Sequence, residues 1–279
     1  MKLTQIFLQI EKEIIANTFI LPALPAIALK VRKAVKDPLM DLVKLADVVS
    51  LDPAFTSYLV NLANSPIYRG IDPIDSVQLA LGRMGMESTR NSAMIFAIRS
   101  LFKTKNTLCK KLLNLVWKQS CRVSALSYVI AKNLKSSDSE RASIAGLLHN
   151  IGMIPVIIKL VERGESEENI LKEWQTISDF SSKVSVRVLS VWGLEDDLKS
   201  VSRGIGEWES SHSETLVDLV NLALWHSYLG TAKFKTLPKL NLLGYFKNFP
   251  MLELDVDESL LFIQQSELEI KQIMQLLNG

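Results

Sequence analysis

The stretch that most constrains the fold is 107–134, which reads as one long helix. Leu112, Leu115, Val116, Gln119, Val123, Leu126 and Ile130 recur at three- and four-residue spacing, the period of a single helical face. An apolar face of that length has to be covered by other elements. Gln119 is the one polar member of the stripe, so it is expected to point inward. An inward polar side chain needs a partner or a pocket.

The remaining segments carry the same period. Leu3, Phe7, Ile10 and Ile14 mark a first amphipathic helix, broken at Leu21-Pro-Ala-Leu-Pro25, because proline cannot sit in a helix interior and restricts the residue before it. Pro25 opens a second helix, which Asp37-Pro38 ends. Leu42, Leu45, Ala46 and Val49 follow Asp41. Asp52-Pro53 starts the next helix, with Asp as cap and Pro as first residue. Val77 to Met84 is stopped near Gly85, and Glu87 to Phe102 gives one more helix. Further along, helices are expected over 139–149, 153–163, near 184–193, over 194–201, 213–229 and 257–277. Residues 164–169 read as a solvated turn and 231–256 as irregular. Val184 to Val188 also alternates like a strand, but the flanking helical pattern outweighs five residues. The expectation is an all-α, multi-helical fold: an N-terminal helical bundle, 1–105, packed on a second helical part, 106–279.

Composition narrows the setting. No apolar run reaches about 18 residues, so no membrane-crossing helix is expected, and the first twenty residues lack the pattern of a signal peptide. Cys109 and Cys121 would lie roughly 18 Å apart on one helix, too far to bridge, which fits a reducing cytoplasm. Net charge is +2, but 1–135 carries +10 and 136–279 carries −8. No acidic residue falls between Glu87 and Asp138, whereas ten Lys and Arg do. Lys111, Lys118 and Arg122 are spaced seven and four apart and share a helical face. That face either pairs with the acidic half or receives an anionic partner. General nucleic-acid binding is disfavoured by a near-neutral chain without a recognition motif.

Ala145-Gly-Leu-Leu-His149-Asn150-Ile-Gly152 resembles the signature of the HD-domain metal-dependent phosphohydrolases, with Asn150 where that pattern has aspartate. Four earlier motifs resemble the N-terminal region of the HDOD (HD-related output domain) family. These are Leu21-Pro-Ala-Leu-Pro25, Ser50-Leu-Asp52-Pro53-Ala-Phe, Leu62-Ala-Asn64-Ser65 and Leu79-Ala-Leu-Gly-Arg-Met-Gly85, and they occur in family order. The resemblance places the first metal-binding histidine of HD enzymes at Gln119, and the His-Asp pair at His149-Asn150. Further family histidines would fall near Asp179-Phe180-Ser181-Ser182 and near Arg203-Gly-Ile-Gly206 and Trp208. The distant aspartate matches Asp218 or a neighbour loosely.

One imidazole and two amides make a weak metal site, since neutral amide oxygens compensate a cation's charge poorly. The resemblance together with these departures implies a relict pocket of Gln119, His149 and Asn150, with no catalytic residue, no metal and no cofactor. A cluster of mutually hydrogen-bonded side chains is the alternative for those three. His226 reads as packing beside Trp225, and His212 as a helix-start loop residue. Neither Ser120 nor Cys121 has the His and Asp spacing of a nucleophile, and there is no P-loop or dinucleotide fingerprint. The expected role is that of a non-enzymatic bacterial signalling module working through a protein partner. A small-molecule or nucleotide binder, using the pocket and the basic stretch, is the alternative. A residual metal-dependent phosphohydrolase ranks last.

Overall fold

The computed structural model describes residues 3–68, 70–134, 138–208, 215–240, 243 and 256–278. Among these the regular elements are all helical: α1 (Leu3–Ile15), α2 (Ala26–Val35), α3 (Leu42–Ser50), α4 (Pro53–Ala63), α5 (Val77–Leu101), α6 (Thr107–Leu134), α7 (Ser139–Leu148), α8 (Met153–Glu162), α9 (Glu167–Lys172), α10 (Trp174–Val191), α11 (Asp196–Gly204), α12 (Thr215–Ser227), α13 (Val256–Gln265) and α14 (Glu267–Asn278). A short 3₁₀ turn spans Ala232–Thr236. His212 and Lys135 lie outside the described residues.

The starts of these helices follow local chemistry. The side chains of Asp41, Asp52, Ser76, Asp138 and Ser166 each accept a first-turn backbone N–H, which satisfies donors that have no partner inside the helix. Gly85 interrupts α5 with φ 80° and ψ 173°, a left-handed conformation open to glycine. The sequence signals of a stop near Gly85 and a restart after it are thus one kinked element.

The long α6 forms the spine, and α7, α8, α12 and α14 pack against it. A smaller apolar cluster joins α2, α3, α4 and part of α5 around Val31, Leu45, Phe55, Leu59 and Leu81. A larger one is built on α6 and α7 and takes in Ile6 and Ile10 of α1. Phe7 stacks on Phe180 with ring centroids 4.1 Å apart, and Lys159 Nζ lies 2.8 Å from the Glu13 carboxylate, so α1 is fastened to α8 and α10. Glu140 ties the N-terminal helices to α7: it accepts from Tyr68 at 2.8 Å, Ser88 at 2.6 Å and Asn91 at 2.9 Å.

The stretch Ser139–Glu162 is long and apolar enough to cross a membrane by composition, but 78% of its most apolar window is buried inside the fold. The two cysteines are free and buried, and burial pushes the Cys121 thiol up to about 12.

Several boundaries differ from the periodicity. The turn expected over 164–169 is helical from Glu167 on, in a helix that runs to Lys172, because Ser166 caps it and Ile170 is buried. The helix ending at Gly193 begins much earlier, at Trp174, with Ile177, Ser181 and Ser185 among its buried residues. Serines on the inner face hid that period. The final helix is two helices broken at Ser266.

Candidate functional site

The His149 loop is shaped by two close approaches. At Gly146 an added Cβ would lie 2.7 Å from Ser127 Oγ and 2.9 Å from Ser124 Cα, so α7 crosses α6 with backbone almost touching backbone. At Gly152 a Cβ would fall 2.3 Å from Ser181 O and 2.4 Å from Ser185 N. The Gly152 N–H instead donates to Ser185 Oγ at 2.8 Å. Glycine is the residue that permits such contact. The two glycines therefore wedge His149 and Asn150 between α6 and α10.

The result is a cleft of about 720 Å³, counted to its open mouth. Its lining takes in Gln119, His149 and Asn150, together with Asp179, Ser182, Gly206 and Trp208. The positions that the sequence resemblance marked in four different segments thus converge on one space. Asp218 is buried on α12 but is not among the described lining residues. Trp174, Gln175, Ser178, Tyr228 and Lys233 also line the cleft. Periodicity gave no signal for them, since each sits at an element's edge or outside a stripe.

Gln119, His149 and Asn150 do not bond to one another. Gln119 Nε2 donates to Ser227 Oγ at 2.7 Å, linking α6 to α12. His149 Nδ1 lies 2.6 Å from the Gly146 carbonyl oxygen. That oxygen can only accept, so Nδ1 carries the proton and Nε2 of the neutral ring is an acceptor. Burial lowers the His149 pKa to about 4, so the ring is uncharged at neutral pH. Asn150 Nδ2 donates to Ser178 Oγ at 3.1 Å, while its buried Oδ1 has no hydrogen-bond partner. Ser178 can donate or accept, so one end of the Asn150 amide stays unpaired whichever way it is turned.

Nearby, Gln175 Nε2 donates to Asp179 at 2.6 Å and Lys233 contacts Gln175 Oε1. Burial lowers the Lys233 pKa, against the pull of Asp179. His226 is buried on α12, with Nδ1 2.8 Å from Leu222 O. Burial lowers its pKa to about 4 as well.

A hydrolytic metal centre needs anionic and imidazole ligands that converge, so that bound water loses a proton near neutral pH. Among the described residues no three His, Cys, Asp or Glu gather in that way. Among its described lining the cleft offers one imidazole nitrogen and one carboxylate, Asp179, which accepts from Gln175, and its two central amides already donate to serines. This donor set does not fit such an ion.

On the charged surface, Lys111 is ion-paired with Glu167 of α9 at 2.6 Å. Lys118 is exposed and Arg122 half-buried on α6.

Comparison with known proteins places this geometry. The family model described as HDOD domain matches residues 21–203. No curated protein matches the chain. Among solved structures, a chain from Shewanella amazonensis SB2B with the provisional name of metal-dependent phosphohydrolase superposes with a TM-score of 0.80 at 20% identity, covering 98% of both chains. An HDOD domain protein with unknown function from Geobacter sulfurreducens gives 0.69 at 21% identity, over 99% of this chain and 98% of that one. A chain from Marinobacter aquaeolei VT8, provisionally named a signal transduction protein, gives 0.59 at 17% identity, over 95% of this chain and 61% of its own length. At these identities the likeness is one of fold.

Proposed function

The chain belongs to the HDOD domain family, and from that premise we propose that it is a non-catalytic, cytoplasmic bacterial signalling module whose output is contact with a protein partner. The observation that carries this reading is the donor set of the cleft. Gln119 and Asn150 stand where the HD pattern has histidine and aspartate. Each is engaged by a serine instead, Ser227 and Ser178. A neutral imidazole between two amides neither holds a divalent cation firmly nor lowers the pKa of its water. On this reading the HD framework keeps its shape and has lost its hydrolytic function.

The test is hydrolysis of a chromogenic phosphodiester with manganese, magnesium or ferrous iron added. The expected rate is that of buffer and metal alone. Gln119→His combined with Asn150→Asp restores two family ligands and is expected to bind metal more tightly than the parent chain. A parent-chain rate above the blank that Asn150→Ala removes would overturn the reading.

A second reading is favoured by one feature, the unpaired end of the Asn150 amide in an open cleft. There the cleft receives a small polar ligand that completes this hydrogen bond, and the ligand sets the partner-binding state. A ligand of this kind raises the melting temperature in proportion to the logarithm of its concentration. Asn150→Leu removes that response.

A further inference from the structure

The N-terminal helices and the second part of the chain leave a space where they meet. It is a cavity of about 480 Å³, counted to its mouth, with walls from α4, α5, α6, α7 and α14. Three tyrosines line it: Tyr58 of α4, Tyr68 in the turn after that helix, and Tyr128 of α6. Glu140 of α7 lines it as well, and Leu62, Ile95 and Ile273 supply apolar wall.

The carboxylate is the unusual member of this set. Glu140 accepts from Tyr68, Ser88 and Asn91 at 2.8, 2.6 and 2.9 Å. All three donors are neutral, so they hold the carboxylate in place without cancelling its charge, and the N-terminus of α7 adds only a partial one. The described cations that flank these positions in sequence are engaged elsewhere: Arg90 by Glu87, Lys132 by Glu269 and Arg141 by Asp197. Burial, and then the Glu140 charge, raise the Tyr68 phenol. Burial raises the Tyr128 phenol too, and the Glu140 charge adds to it. The two rings are therefore neutral, and both feel the carboxylate. A negative charge in apolar surroundings is costly until a positive one comes near it.

We propose that this cavity binds a small molecule bearing a methylated ammonium group. The carboxylate selects a cation, and the lining selects its kind. A primary ammonium or a guanidinium brings several N–H donors that need acceptors, whereas three of the roughly four acceptor positions of a carboxylate are already taken here. A quaternary ammonium has no N–H to satisfy. Its methyl groups suit the apolar wall of Leu62, Ile95 and Ile273. Its charge is drawn to Glu140 and to tyrosine rings, whose electron-rich faces attract organic cations. A hollow between helices suits a small ligand better than the face of a protein. The cavity and the His149 cleft have no described lining residue in common, so the proposal stands whether or not the cleft is inert.

The test is titration calorimetry of the full chain with choline, tetramethylammonium and the neutral isostere of choline in which tert-butyl replaces trimethylammonium. Choline and tetramethylammonium are expected to bind with a dissociation constant of about 1 mM or tighter. The isostere is expected to bind roughly tenfold more weakly or not at all. Glu140→Gln removes the charge and keeps an acceptor oxygen. It is expected to weaken choline binding about tenfold or more, with the helical circular-dichroism spectrum unchanged. Tyr128→Leu removes a ring and keeps an apolar wall, and is expected to weaken binding about fivefold or more. Glu167→Gln, on α9 and outside the described lining, is expected to bind within about twofold of the parent. Absence of choline binding at roughly ten times that concentration would overturn the proposal. So would an isostere that binds as tightly as choline, which would mark a merely apolar hollow, or equal choline affinity in either Glu140→Gln or Tyr128→Leu.

Discussion

At the scale of single residues, the buried histidines make stability depend on pH. His149 and His226 both have folded pKa values of about 4, against about 6.5 for a free imidazole. Above pH 6.5 the ring is neutral in both states and folding carries no penalty. As pH falls from 6.5 towards 4, the unfolded chain takes up a proton that the folded one refuses, so stability is lost on acidification. Urea unfolding at pH 7 and pH 4.5 is expected to show a drop of about 2 kcal/mol for each ring, and His149→Gln is expected to shrink it. Close packing at Gly152 gives a second expectation. Gly152→Ala forces a Cβ into the α10 backbone and should cost about 3 kcal/mol or more. Gly82→Ala, where nothing lies within 4 Å of the added carbon, should be neutral or stabilise by up to about 1 kcal/mol. Thermal melts of the two variants should therefore move apart.

At the scale of elements, Glu140 is the fastening between the N-terminal helices and α7. Its two oxygens accept from Tyr68, Ser88 and Asn91. Burial, and then the Glu140 charge, raise the Tyr68 phenol well above its usual range, so the phenol stays a donor. Glu140→Ala leaves three donors without their acceptor and is expected to lower stability by about 2–4 kcal/mol. Glu140→Gln, which keeps one acceptor oxygen, should cost less, as chemical denaturation would show. Nothing in the sequence pointed to this residue, because its partners are 49 to 72 positions away. The elements themselves were legible wherever apolar residues recur and a cap or proline marks the start, as in α4 with Asp52-Pro53 and α6 with its long stripe. They were illegible where the inner face is built of serine, as in α10, or where one short turn is held by a single apolar residue, as with Ile170 in α9. The cleft was half legible. Gln119 stood out as the one polar member of an apolar stripe, and His149 and Asn150 through the resemblance to the HD signature, whereas Trp174, Tyr228 and Lys233 enter it only through tertiary packing.

At the scale of the whole molecule, the chain keeps the family's helical framework over nearly its full length. On the proposed reading, the cleft at its centre no longer carries the converging donors that a hydrolytic ion needs. The glycines, the α6 spine and the α7 crossing hold His149 in place. Around His149 the cleft is lined mainly by serine, amide and aromatic side chains, with Asp179 its one described carboxylate and that carboxylate accepting from Gln175. The proposed signalling role rests on that donor set, so the most direct measurement is metal stoichiometry. Protein produced with manganese, iron and zinc in the medium, purified without chelator and freed of any tag, is examined by elemental analysis. The account predicts less than about half an equivalent of transition metal per chain. One or two equivalents of iron, manganese or zinc, lost when His149 is replaced by alanine, would contradict it.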